Sequence, residues 1–105
     1  MALWIKSGTT YTLGWTKNIV RPTVLQSFTV QDGYIYYIDC YCSSSNYHTI
    51  NINRIDIGTG ITEYNGPIAG TILQLEAEGI TPVGKDVFYI TTNNGRGFLV
   101  RFKKV

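Results

Sequence analysis

Histidine occurs once in this chain of 105 residues, methionine once and cysteine twice. The single imidazole confines any histidine-based general base or triad to His48. No Gly-x-Ser-x-Gly elbow raises a nucleophile, so Ser43, Ser44 and Ser45, ahead of Asn46, read as turn formers. Cys40 and Cys42 are two apart on a reading as strand, which places their Cα atoms about 6.5–7 Å from each other, at the edge of disulfide geometry. They are expected to be reduced thiols. With His48 they would make three metal ligands, and no spacing supplies a fourth, so no metal site and no cofactor is expected.

Charge is scarce as well. Charged residues make up 15% of the chain, against about a quarter in an ordinary globular protein. The net charge is +2, and Lys103-Lys104 is the only adjacent basic pair, which excludes a phosphate track and with it nucleic acid as a partner. No run approaches the ~20 apolar residues of a membrane helix. The first residues, MALWIKSGTT, lack the charged start and apolar core of a signal peptide. The expectation is a chain made in a cytoplasm, with carriage on a phage particle left open. Helical periodicity is missing too: no window spaces its apolar residues at i, i+3, i+4, i+7. Gly58-Thr59-Gly60 and Gly95-Arg96-Gly97 therefore sit between strands, without a helix N-terminus to cradle phosphate.

What is plentiful is tyrosine, eight residues of it, in a chain that is 44% apolar. Tyrosine favours strands and wet interfaces. The clearest strand is Tyr34 to Cys42, preceded by the hairpin pair Asp32-Gly33. A second runs from Tyr47 to about Ile57. Within it Ile50 and Ile52 alternate with asparagines before the parity flips to Ile55 and Ile57, which predicts either a bulge near Arg54 or burial of both faces. A short strand follows over Ile61 to Tyr64, and Trp4, Ile5, Tyr11, Leu13 and Trp15 suggest an N-terminal hairpin.

The second half echoes the first. Thr71-Ile72-Leu73-Gln74 echoes Thr23-Val24-Leu25-Gln26, and Gly84 to Ile90 echoes Asp32 to Ile38, pairing Phe88 with Tyr36. Phe98 to Lys103 echoes Ile52 to Asp56, with Arg101 against Arg54. A period near 50 residues with three or four strands per repeat is the spacing of propeller blades. The reading is a single all-β domain over 1–105, antiparallel, with blade-like units at about 23–64 and 71–103.

At TVLQSFTVQDGYIYYID, INRIDIGTG and LEAEGITPVGKDVFYI the chain resembles β-propeller proteins, in particular those of phage receptor-binding tail proteins and helveticin-like bacteriocins. The resemblance spans about residues 23 to 103 and implies recognition of a cell-surface glycan or wall polymer. Family propellers have five or more blades, whereas this chain has two at most. Two blades leave strand edges open, so completion by homo-oligomerisation is expected.

The expected function is a non-enzymatic binding module, with Trp15, Tyr41, Asn46, Tyr47 and His48 as ligand-binding residues: aromatic faces stack on sugar rings while amides meet hydroxyls. A structural, self-assembling component of a phage or particle is the alternative. A small glycoside hydrolase stands third, on Glu76, Glu78 and His48. Asp56, ahead of Gly58-Thr59-Gly60, reads as a turn former and not a calcium ligand.

Overall fold

A computed structural model describes residues 1–16, 24–42, 47–64, 72–73, 77–92 and 95–105. Every regular element in them is a strand. The order is β1 (Ala2–Ser7), β2 (Thr10–Thr16), β3 (Val24–Gln31), β4 (Tyr34–Cys42), β5 (Tyr47–Asp56), β6 (Thr62–Tyr64), β7 (Ile72–Leu73), β8 (Ala77–Gly84), β9 (Val87–Thr92) and β10 (Gly97–Arg101). All pairings are antiparallel. β1 and β2 form a hairpin, β3-β4-β5-β6 a meander with β7 added to β5, and β8-β9-β10 a second meander. None of these sheets closes on itself.

The all-β, helix-free expectation agrees with this architecture, and the alternating pattern of β4 and β5 explains why. Ile38 pairs with Ile52 and Tyr36 with Arg54 on one face of the first meander, here called its front. Ile35 pairs with Ile55 and Tyr37 with Asn53 on the back. Ile52 and Ile55 are both 0% exposed, and β4 and β5 pair in unbroken register. The parity flip in β5 therefore marks burial of both faces and not a bulge.

Two turns set the frame. Asp32 and Gly33 both take positive φ (49° and 80°), the backbone of a tight hairpin turn whose twist suits its flanking strands. In the second meander Asp86 takes positive φ as well (φ 56°), and β8 carries a register shift between Pro82 and Gly84. Gly33 and Asp86 are each the last turn residue before a strand, so Tyr34 corresponds to Val87 and Tyr36 to Tyr89. This corrects the sequence echo by one residue. Phe88 corresponds to Ile35 and not to Tyr36, and Val100, not Arg101, stands opposite Phe88. The echo of Val24-Leu25 in Ile72-Leu73 is also not structural: β7 pairs with β5 in the first sheet and does not open the second.

The two meanders stack with strands in the same order and direction. β3 runs beside β8. Tyr36 of β4 lies on Phe88 of β9, ring centroids 4.4 Å apart. The Gln31 side chain ties the turn ends together: its amide donates to the Gly84 carbonyl (2.8 Å) and accepts from the Asp86 N–H (3.0 Å). Equal order and direction mean that the front of the first sheet meets the back of the second. The core at this seam holds Tyr36, Ile38 and Ile52 against Ala77, Ile80, Phe88, Ile90, Val100 and Phe102. The chain's radius of gyration is 14.6 Å, above the ~13 Å of a compact chain this long, in keeping with a hairpin set off from the stacked sheets.

The corrected register has a direct test. Phe88→Ala removes a ring from the seam and is expected to cost about 3–5 kcal/mol. Tyr89→Ala, on the open front of the second sheet, should cost about 1 kcal/mol or less. Urea unfolding midpoints compare the two, and equal losses would contradict the assignment.

Candidate binding surfaces

The most densely connected polar group is the Arg54 guanidinium. From β5 it enters the seam with its Cζ 4.0 Å from the Tyr34 ring centroid and 4.5 Å from that of Phe102. Its Nε donates to Glu63 of β6 (2.5 Å) and its Nη1 to the Tyr36 hydroxyl (3.1 Å). That hydroxyl donates to Asp86 Oδ1 at 2.7 Å, and Lys104 reaches the other Glu63 oxygen at 3.2 Å. Burial, and then the bond to Asp86, push the Tyr36 phenol up to about 12. For Arg54 burial acts downward, but bonds to Tyr36 and Glu63 outweigh it and its pKa rises. The hydrogen bond from Arg54 holds the Glu63 carboxyl below its usual range. The Tyr36 hydroxyl, both Glu63 oxygens, Asp86 Oδ1 and the Arg54 Nε and Nη1 groups each have a partner within the cluster. The cluster is therefore a clamp between sheets, with the phenol held neutral and the guanidinium beside the rings of Tyr34 and Phe102.

Trp15 is occupied as well. Its indole N–H donates to the Ile57 carbonyl at 2.9 Å, and its ring covers Gly60, where an added Cβ would lie 3.1 Å from the Trp15 Cγ. Gly60 has φ +73°, so glycine meets both demands at that point. The β5–β6 turn beneath is built by Asp56, whose Oδ1 accepts from the N–H groups of Gly58 (2.8 Å) and Thr59 (3.0 Å). Asp56 is thus a turn former. The docked side of the hairpin carries Leu3 opposite Trp15; the other side carries Trp4 opposite Leu13 and Lys6 opposite Tyr11. Trp4, Tyr11 and Leu13 are exposed.

The remaining expected ligand-binding residues gather where β4 passes into β5. Cys42 stands opposite His48, Tyr41 opposite Thr49 and Cys40 opposite Ile50. His48 and Tyr47 also pair with Ile72 and Leu73 of β7. Asn46 and the serines before it lie outside the described residues, so strand pairing brings Tyr41, Tyr47 and His48 near one sheet end while Trp15 sits at the β5–β6 turn. Glu78 is exposed on β8, and Glu76 lies outside the described residues. Among the described residues no group of three or more His, Cys, Asp or Glu could hold a metal ion, and no helix is long and apolar enough to cross a membrane. The sequence reading missed the Arg54 clamp. The available signal was a lone arginine inside a strand of isoleucines.

The chain matches no family model, no curated protein and no solved structure.

The clamp predicts acid sensitivity of a definite sign. The folded-state pKa of Glu63 is lowered, so its contribution is complete above the ordinary glutamate value of 4.5 and is lost as pH falls through the folded value. Thermal melts from pH 7 to pH 3 should show a shallower decline for Glu63→Gln than for the parent chain, from a lower neutral-pH start. Parallel curves would remove Glu63 from the clamp's energetics.

Proposed function

We propose that this chain is a non-enzymatic interaction module that assembles with copies of itself through exposed β surfaces, as a structural component of a larger particle. The observation that carries this reading is the N-terminal hairpin. A two-stranded hairpin is marginal in water, and this one turns Trp4, Tyr11 and Leu13 outward on a single face. Isolated exposed apolar residues are ordinary, but an aromatic face on an outlying hairpin is a docking surface awaiting cover. Lys6 on the same face keeps the free hairpin soluble.

Support for propeller kinship comes from the stacking: neighbouring meanders meet front to back, with opening strands β3 and β8 side by side. Both opening strands carry a register shift, between Leu25 and Phe28 and between Ala77 and Gly79. Completion by further copies follows from the open edges, since unpaired strand margins are a liability that partners remove.

A second reading, recognition of a cell-surface glycan or wall polymer, is favoured by the β4–β5 end, where strand pairing brings Tyr41, Tyr47 and His48 to one end of the sheet. The two readings separate experimentally. Light scattering of the full chain should give a mass above the 11.8 kDa of one copy, reduced by Trp4→Ser with Leu13→Ser at unchanged circular dichroism. A hairpin variant that assembles as the parent does would sink the first reading. Pull-down on wall polymers that disappears in Tyr41→Ala with Tyr47→Ala would establish the second.

A further inference from the structure

Among the described residues β6 is the last strand of the first meander: one side pairs with β5 and the other is an edge. The Ile61 carbonyl accepts from the Asp56 N–H across to β5, and backbone groups alternate sides along a strand. Thr62 and Tyr64 therefore turn theirs outward. The segment after β10 meets them there. The Val105 N–H donates to the outward Tyr64 carbonyl at 3.0 Å. Lys104 makes an isolated β-bridge, and its Nζ lies 3.2 Å from Glu63 Oε1. This contact is shallow. Val105 is 82% exposed and the Lys104 side chain 59%, so the ion pair stands in solvent, where such pairs hold weakly. Shortly before it the chain is fixed: Phe102 is 4% exposed, packs its ring against Tyr36 and donates its N–H to the Asp86 carbonyl.

We infer that Lys104 and Val105 are a releasable cover over a strand-pairing edge, and that the released edge takes a strand of a second copy of this chain. Phe102 is the fixed end, and the residues beyond it are the part that lifts. An uncovered edge offers its N–H and C=O groups to any extended chain. The cover itself shows what suits this one: an extended backbone with a cation beside Glu63. A second copy has both to give, since β1 and β10 are edge strands that carry the exposed cations Lys6 and Arg101. In the closed chain Lys104 and Val105 occupy that place themselves, so the contact holds pairing back. The choice of a second copy rests on self-assembly as the proposed function; what is added is an edge that each chain keeps closed by itself.

Releasing the cover in the full chain tests it. Lys104→Gln with Val105→Pro removes the ammonium and the N–H that hold the contact and leaves Phe102 in place. Self-association, read by sedimentation over a range of concentrations, should strengthen by about tenfold or more at unchanged circular dichroism. Adding Thr62→Pro should cancel the gain, because proline lacks the outward N–H while no bond to β5 is lost. The gain should appear both in the parent and in the Trp4→Ser with Leu13→Ser chain, since β6 is not part of the hairpin. Amide exchange on the parent reads the cover directly: Val105 should exchange about tenfold or more slower than an unstructured peptide, and about tenfold or more faster than Phe102. A released chain that associates no more than its background overturns the inference and leaves the hairpin variants to decide self-assembly. A gain that survives Thr62→Pro, or that needs the intact hairpin, places the new contact elsewhere and overturns it too. Weaker association on release would make Lys104 and Val105 part of an interface and not a cover. Exchange of Val105 at the peptide rate, or as slow as that of Phe102, would mean no cover or none that opens alone, and this result decides the matter even if the released variant does not fold.

Discussion

Arg54 is where the structure is joined. One side chain from β5 touches β4 through Tyr34 and Tyr36, β6 through Glu63, the β8–β9 turn through Asp86 and the C-terminal segment through Phe102. A guanidinium suits the position because it is flat, offers donors in a fixed fork and gives up water more readily than an ammonium. Stacked between two rings, it satisfies acidic and phenolic partners in its own plane. Lysine would keep the charge and lose the stacking. Removing the guanidinium would leave Glu63 with Lys104 alone and take from Asp86 its cation in the seam, the costly way to break a partly buried pair.

The clamp also dictates how the sheets meet. Asp86 can accept from the Tyr36 hydroxyl only if the β8–β9 turn lies at the same end of the stack as the β3–β4 turn, and Gln31 holds it there through the backbone of Gly84 and Asp86. After β10 the chain returns toward the first sheet: the Phe102 N–H donates to the Asp86 carbonyl (2.7 Å) and the Val105 N–H to the Tyr64 carbonyl (3.0 Å). The polar end of the seam thus fixes direction and order, while the apolar part, Ile38 and Ile52 against Phe88 and Ile90, forms its buried core. Tyr36 belongs to both. Its ring lies on Phe88 and against Phe102, and its hydroxyl sits between Arg54 and Asp86. That double use explains why burial keeps the phenol neutral without leaving it unsatisfied.

Much of this fold was legible from local chemistry. Aromatic and β-branched alternation from Tyr34 to Cys42, the Asp32-Gly33 turn and the glycine turn after Asp56 each identify themselves within a few residues. Relations between distant segments were less legible, because sequence echo weighs resemblance of side chains whereas structure follows register. Tyr36 and Phe88 look alike, yet the first turn closes on Gln31 and Tyr34 and the second on Gly84 and Val87, which leaves Phe88 one place out of step with Tyr36 and on the opposite face. Arg54 and Arg101 likewise resemble each other and end up in unlike places, one within the clamp and one exposed. Trp15 read as a loop aromatic free to stack on a sugar. Its engagement by Gly60 and the Ile57 carbonyl depends on a turn more than forty residues away, and nothing local announces it.

The one-residue shift has a further consequence for the repeat itself. Had the echo held in structure, both units would present their aromatic and isoleucine positions on the same face, and two such units could satisfy each other front to front as a closed pair. With the shift, Phe88 and Ile90 turn to the back of the second sheet to meet Tyr36 and Ile38 on the front of the first. A front-to-back step satisfies two surfaces, and on the back of the first sheet Tyr37, Asn53 and Ile55 are themselves buried, so the step is not left open there. The N-terminal hairpin is docked by Trp15 at the β5–β6 turn, with Trp4, Tyr11 and Leu13 turned away from it.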